Sequence, residues 1–261
     1  MILWMIASAL AEPEVAPEAP PVPDLVESFG GGVTMNWTKM SLRVTASAEG
    51  RGVNSSQKTV EQQARLSAEP ALAAAMMKVQ VDAQNTCGDL LEEPSYQGPL
   101  QARLARWSVV ETRYFSSGRI EIDGELPVRE VLIPWTIEHA QASPPVGQKP
   151  ETTGVVVDAR GLGVSPAFSP KLLTEKGEVL YDGALWVDTA NSRLPVIYVP
   201  APTHADVARA GEHPSLFKAA QTRGVDLVLS EADVRRFRED FGGTRLLGEG
   251  TVVLVVDAEN L

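Results

Sequence analysis

The sequence predicts an α+β fold of two small domains, each a mostly antiparallel sheet with helices packed on one face. Short runs in which apolar and polar residues alternate predict strands, and an alanine-rich stretch with apolar residues at helical spacing predicts a long helix. A proline-rich break at residues 141–152 separates two regions, each close to the usual size of a domain.

The predicted domain organisation has five parts. Residues 1–11 form a signal-like segment and residues 12–30 an acidic, proline-rich linker. An N-terminal α+β domain is expected over residues 31–140 and a C-terminal α+β domain over residues 153–258, with the linker 141–152 between them.

The first eleven residues are apolar and end in Ala9-Leu10-Ala11, ahead of Glu12. The run is too short to cross a bilayer, which takes about 20 residues, and no later stretch is long and apolar enough to do so. The alanine pattern is typical of a signal-peptide cleavage site, so we expect export and a mature chain that begins near Glu12. The alternative is a cytosolic domain with an uncleaved, packed N-terminus.

The first region is expected to begin with strands at residues 33–37 and 42–46. Residues 57–83 predict a helix, in which Pro70 either introduces a kink or begins a second helix. Its expected buried face consists of Val60, Ala64, Ala68, Leu72, Met76, Val79 and Ala83.

A hairpin and one further strand complete the first region. Residues 107–115 and 119–126 predict the hairpin, with its turn at residues 116–118 and with Ile120, Ile122 and Leu126 on the buried face. The apolar run at residues 131–133 predicts the further strand.

The second region reads as strands with two helices. Strands are expected at residues 154–158, 171–181 (a hairpin turning at 175–177), 196–199, 216–221, 225–229 and 251–256. A short helix is expected over residues 203–210 with Thr203 as N-cap. A second helix begins at Ser230-Glu231-Ala232-Asp233 and ends at Gly242-Gly243.

Composition and motifs exclude several functions. With 23 basic and 34 acidic residues among 261, the net charge is −11, which argues against binding nucleic acid. The single cysteine, Cys87, forms no internal disulfide and is expected to be an ordinary thiol. His139, His204 and His213 lack metal-ligand spacing, and phosphate-binding, dinucleotide-binding and serine-hydrolase motifs are absent, so we expect no metal, cofactor or catalytic residue.

The most concentrated signal lies at the end of the strand predicted at residues 154–158. Asp158 and Arg160 are two residues apart, which places both on one face of an extended chain and allows a bidentate ion pair. Gly161 and Gly163 permit positive φ angles. We interpret the segment as a structural corner; the alternative is a recognition site for a partner or a small anion.

The block V-V-V-D-A-R-G-L-G-V-S-P-A-F-S-P-K-L-L-T-E-K-G-E-V-L-Y at residues 155–181 resembles exported bacterial Lpp-twenty-type lipoproteins, a group related to the flagellar proteins FlgP and FlgT. Residues 33–37, 112–118, 224–233 and 252–257 are also similar to this group. The cysteine that carries the lipid in these lipoproteins is absent here, because Cys87 lies too far along the chain.

The resemblance implies a non-enzymatic protein of the periplasm or the outer-membrane periphery, with protein partners in the envelope or self-assembly. Its blocks make Trp37 and Tyr114 interaction candidates beside the Asp158 segment. We expect a structural or assembly adaptor, associated with a flagellum or another surface machine. The alternative is a ligand-binding or hydrolytic enzyme that uses Asp158 and Arg160.

Overall fold

The computed structural model of the chain describes residues 20–50, 56–139, 152–184, 194–241 and 252–260. Within these residues the strands lie in two sheets, one in each predicted region, and five α-helices accompany them, which confirms the α+β class. The signal-like segment, the break at 141–151 and the glycine pair at 242–243 lie outside the described residues.

The first sheet has five antiparallel strands. They are β1 (Val26–Gly30), β2 (Val33–Asn36), β3 (Ser41–Glu49), β4 (Ser108–Tyr114) and β5 (Arg119–Pro127). Their order across the sheet is β1-β2-β3-β5-β4, so β1 and β4 form its edges. The predicted strands and hairpin are confirmed, but β1 falls inside the stretch assigned to the linker, because its backbone pairs with β2 immediately after the buried Leu25.

The alanine-rich helix, α1 (Gln57–Lys78), covers one face of this sheet. Ser56 caps it by accepting a hydrogen bond from the backbone N–H of Thr59, and the predicted face from Val60 to Met76 is buried. Pro70 is exposed, and the helix continues through it without a second start. The helix ends earlier than predicted, because Val79 is extended and donates its N–H to the Met76 carbonyl.

Three shorter helices complete this half: α2 (Cys87–Glu92), α3 (Pro94–Leu104) and α4 (Val128–His139). The strand predicted at residues 131–133 is wrong, since this stretch lies inside α4. Val128, Val131, Leu132 and Trp135 are all buried, a spacing that matches one helical face. Three consecutive apolar residues fit a strand or a buried helix equally well.

The second sheet is mixed, so the prediction of a mostly antiparallel sheet is wrong here. Its seven strands are β6 (Val155–Asp158), β7 (Lys171–Thr174), β8 (Val179–Asp182), β9 (Ile197–Val199), β10 (Ser215–Arg223), β11 (Asp226–Leu229) and β12 (Val252–Val255), in the order β8-β7-β11-β10-β6-β12-β9. Four of the six pairings are parallel, and only β7–β8 and β10–β11 are antiparallel.

The helix α5 (Glu231–Phe241) packs on the second sheet through Phe237, whose ring lies 5.6 Å from that of Phe217. Its predicted start is confirmed, because Ser230 Oγ accepts the backbone N–H of Asp233. The short helix near residue 205 is a 3₁₀ helix at Ala205–Ala210, and its cap is His204 rather than Thr203. The His204 ring nitrogen reaches the backbone N–H of Asp206, which the Thr203 hydroxyl does not.

The two halves share one continuous apolar core. Trp37 packs edge-on against Tyr198 of β9, with ring centres 6.0 Å apart, and Trp135 packs in the same way against Phe168 at 6.3 Å. The backbone N–H of Phe168 also donates to the carbonyl of Gln80 at 2.8 Å. None of the described helices is long and apolar enough to cross a membrane.

Candidate functional site

Asp158 ends β6, a strand paired on both sides by parallel neighbours, β10 and β12. Ala159 continues the pairing by donating its N–H to the Val255 carbonyl at 2.9 Å, and the chain then turns away. The carboxyl ends of parallel strands are where open α/β sheets commonly bind ligands. The segment that begins at Asp158 therefore lies where the topology favours a ligand-binding site. Whether it can bind a ligand depends on the contacts of its side chains.

Asp158 and Arg160 form the predicted bidentate pair. Arg160 Nε donates to Oδ1 at 2.9 Å, Nη2 donates to Oδ2 at 2.6 Å, and the Arg160 backbone N–H also donates to Oδ1 at 3.1 Å. Three donors from one residue thus occupy the carboxylate. The side chains are 33% and 42% exposed, so water screens their attraction.

The hydrogen bonds from Arg160 lower the pKa of Asp158 below its ordinary value, and partial burial opposes them. The same contacts raise the pKa of Arg160. Both groups therefore stay charged across the neutral range. A carboxylate with a lowered pKa is a weak base, which argues against a role for Asp158 as a general base.

The glycines after the ion pair have the positive φ angles expected of them, +79° at Gly161 and +63° at Gly163. No atom lies within 4 Å of a Cβ added at either position, so the requirement for glycine is conformational. The Gly161 N–H donates to Asp257 Oδ2 at 2.6 Å. Asp257 follows β12, so this bond ties the exits of two adjacent parallel strands together.

A surface groove of about 380 Å³ adjoins Asp158. It is lined by Val156, Asp158, Pro202, Leu216, Phe217, Lys218, Asp233, Arg236 and Val255. Within it Arg236 is bound to Asp233 at 2.9 Å and to the Leu216 carbonyl, and it stacks over the Phe217 ring. The groove therefore offers an apolar floor, ion-paired side chains and the exposed side chain of Lys218.

The other two predicted interaction residues, Trp37 and Tyr114, lie outside the hydrogen-bonded corner at Asp158. Trp37 is a core residue that packs on Tyr198 and donates its indole N–H to Glu27 Oε2 at 2.8 Å. Tyr114 is 58% exposed at the end of β4, an edge strand of the first sheet. The structure brings Asp158, Arg160 and Gly161 together, and it assigns Trp37 and Tyr114 different environments.

One cluster was missed by sequence reasoning. Asp24, His204 and Asp206 present ligand-type atoms within 4.8 Å of one another. His204 Nε2 lies 3.3 Å from Asp24 Oδ1, while its Nδ1 accepts the backbone N–H of Asp206. No spacing in the sequence could reveal it, because Asp24 lies about 180 residues before His204 and Asp206 along the chain.

This cluster fits an ion-pair network better than a metal site. Lys39 Nζ lies 2.5 Å from Asp206 Oδ2 and 3.9 Å from Asp24 Oδ1, so an ammonium ion already neutralises the carboxylates. Asn36 also donates to Asp24 Oδ2 at 2.8 Å. The cluster fastens the segment before β1 to the 3₁₀ helix of the second half.

Cys87, expected to be an ordinary thiol, is buried at the first residue of α2. Burial raises its pKa to about 12, so at neutral pH it stays protonated. A protonated, buried thiol is a poor nucleophile and a poor metal ligand.

Comparison with known sequences gives one family match. Residues 154–258, about two fifths of the chain, match the family defined by the second domain of Treponema pallidum Tp0624. The match spans the strands from β6 to β12 and includes the whole Asp158 corner. A search of curated proteins returns no match.

Proposed function

We propose that this chain is a non-enzymatic, exported protein of the cell envelope that acts as a structural or assembly adaptor. The observation that carries the proposal is the closed state of the Asp158 corner. The Asp158 carboxylate accepts hydrogen bonds from Nε and Nη2 of Arg160, and the Gly161 N–H donates to Asp257, as they would in a structural joint.

A hydrolytic enzyme would need convergent groups with a free base or nucleophile. At this corner the carboxylate has a lowered pKa, and the nearest groove holds an arginine that is bound to an aspartate and a carbonyl. The ends of β6 and β12 are bound together through Gly161 and Asp257. These contacts favour the structural interpretation over the enzymatic alternative.

The envelope location rests on the signal-like start and on the resemblance to Lpp-twenty-type lipoproteins. Part of the resemblance, residues 155–181, falls within the stretch similar to the second domain of Treponema pallidum Tp0624. The proposal places the protein in the periplasm or at the outer-membrane periphery, where partners are other envelope proteins, including those of a flagellum.

The location is tested by fractionating cells of the native host and measuring the N-terminal mass of the protein. We expect a periplasmic or envelope fraction and a chain that begins at or near Glu12. A bulky residue at the cleavage site, Ala11→Phe, should block processing, while the control Ala7→Phe should leave it unchanged. An intact Met1 on protein confined to the cytosol would contradict the proposal.

A further inference from the structure

The outer edge of the first sheet is formed by β4. This strand pairs with β5 on one side, and among the described residues no strand pairs with its other side. A free edge presents a row of backbone N–H and C=O groups that another strand can bind. The side chains of β4 therefore determine which strand fits there.

The outward-facing backbone groups of β4 can be identified from the hairpin. Phe115 donates its backbone N–H to the Arg119 carbonyl at 3.0 Å. Hydrogen-bonded pairs alternate along an antiparallel ladder, so Arg113 with Glu121 is the next such pair. Thr112 and Tyr114 consequently direct their N–H and C=O groups toward the free edge.

Two large apolar side chains stand at the two ends of the five-residue segment 110–114 of β4. Val110 is 52% exposed and Tyr114 is 58% exposed, with Glu111, Thr112 and Arg113 between them. The order is apolar, acidic, threonine, basic, aromatic. When a second copy of these five residues is laid antiparallel beside the first, its basic residue faces the acidic one and its aromatic ring faces the valine.

We propose that two copies of the chain associate through β4, antiparallel about a two-fold axis at Thr112. In this register Val110 faces Tyr114 of the partner subunit, and Glu111 faces Arg113 of the partner subunit. The two-fold axis repeats each pair, so the contact contains two opposite-charge pairs and two apolar pairs. Cross-strand pairs of both kinds stabilise antiparallel sheets.

The charges also select this register over its neighbours. Moving the axis by one residue places Glu111 opposite its own copy, and moving it by one in the other direction places Arg113 opposite its own copy. Like charges directly opposite each other are destabilising. The sequence of β4 thus favours one alignment and disfavours the two closest alternatives.

The intrachain contacts leave an excess of negative charge that a partner would offset. Arg113 Nη1 lies 2.8 Å from Glu111 Oε2, and the same guanidinium binds Glu121 and Asp123. Arg119 also binds Glu121, so three carboxylates share two guanidinium groups. In the described part of the chain, Glu111 and Asp123 have ion pairs to Arg113 alone. Pairing brings Arg113 of the partner subunit toward Glu111, which gains a second cation.

The bulge of β4 limits the contact. Its register with β5 shifts between Val109 and Glu111, so the ladder is interrupted at Val110 and resumes at Val109 and Ser108 in a shifted register. Bulges are a common way to blunt an exposed edge. The association is therefore confined to about five residues of each copy, which makes it reversible, and open-ended sheet growth is prevented.

This inference gives the proposed assembly role a defined partner and rests on that role, but it can be tested on the purified full-length chain. Sedimentation equilibrium should show a monomer–dimer equilibrium. Glu111→Lys should raise the dimer Kd about tenfold, since both symmetric pairs become repulsive. The control Glu69→Lys makes the same charge change on the exposed side of α1 and should leave Kd unchanged.

Cross-linking tests the register. Thr112→Cys places two thiols opposite each other and should form a disulfide-linked dimer on mild oxidation. Ser28→Cys on β1, the other edge of the same sheet, should not, and Cys87 is buried and should not react. Circular dichroism confirms that each variant is folded.

Three results would overturn the pairing: a monomer at every concentration, a dimer insensitive to Glu111→Lys, or equal cross-linking at Ser28 and Thr112. These outcomes are separate from the envelope location. A monomer that is correctly exported rejects only the pairing, and an intact dimer confined to the cytosol rejects only the location.

Discussion

The two sheets bury their apolar residues in different ways. The first is covered on one face by α1, so β5 alternates between buried residues such as Ile122 and partly exposed ones such as Glu121. The second is buried on both faces in its centre, where β12 consists of four consecutive buried residues. Alternation reveals which side of a strand faces water, whereas a continuous apolar run does not reveal the direction of its neighbours.

The charges differ in the same way. The open face of the first sheet carries a network in which Arg113 binds Glu121 and Asp123 side by side. In the second sheet most charged residues stand at strand ends, as Asp158 and Asp226 do, and Lys218 lies within β10. The first sheet thus carries an ion-pair network along its open face, whereas the second keeps most of its charge at the ends of its strands.

The largest effect is expected where α1 covers the first sheet. Leu72→Ala removes a side chain that is 1% exposed, and it should cost about 2–5 kcal/mol of unfolding free energy. Urea denaturation measures it. The control Leu66→Ala, at an exposed position of the same helix, should cost far less. Equal effects would mean that this face of α1 is not seated on the sheet.

The second prediction concerns the covered face of β5. A Cβ added at Gly124 would lie 2.9 Å from the Trp107 ring, so Gly124→Ala should cost about 1–3 kcal/mol by overpacking. Gly98→Ala in α3 meets no atom within 4 Å and should stabilise the protein by up to about 1 kcal/mol. Thermal denaturation should therefore show opposite shifts. A shift of the same sign for both would refute this packing.

The third prediction concerns the margin of the second sheet. Since Asp158 and Arg160 are each at least one third exposed, the coupling energy between them should be below about 1 kcal/mol. A double-mutant cycle with Asp158→Ala and Arg160→Ala measures it. Zero coupling, with an unchanged or raised Tm and a lost phenotype, would instead favour the binding-site alternative.

The smallest expected effects are in the pH dependence of stability, to which one aspartate in each sheet contributes with opposite sign. Hydrogen bonds from Arg113 lower the pKa of Asp123, so its contribution to stability is present above the ordinary value of 3.8 and is lost as pH falls through the lowered pKa. Burial raises the pKa of Asp226, so its contribution is present below 3.8 and is lost as pH rises through the raised pKa.

Urea midpoints of Asp123→Asn and Asp226→Asn, measured between about pH 3 and pH 7, test this contrast. The deficit of Asp123→Asn relative to the parent should shrink on acidification. The stability of Asp226→Asn relative to the parent should increase as pH rises. Parallel curves for the two variants would show that the sheets do not differ in this respect.

The comparison also explains what could be predicted from the sequence. The strands and the hairpin of the first region, and the buried face of α1, follow from periodicity. The parallel pairing of β6 with β10 and β12 does not, because β6 and β12 each read as a short apolar run without direction. The helix α4 was mistaken for a strand for the same reason.

The candidate site also has a part that could be predicted from the sequence and a part that could not. Asp158, Arg160 and the positive φ angles of Gly161 and Gly163 were predicted because the residues are close along the chain. The cluster of Asp24, Lys39, His204 and Asp206 was not, because only the tertiary fold assembles it. Local chemistry is readable from sequence, and long-range charge contacts are not.

The position of β12 has a consequence for the order of folding. It is the last of the described strands along the chain, yet it lies between β6 and β9. A chain that becomes available from its N-terminus forward, on the ribosome or as it crosses a membrane, can pair β1 to β5 early, but β6 and β9 each lack this neighbour until residue 255 has emerged. Until then the second sheet is incomplete, and its unpaired strand edges are open to other chains.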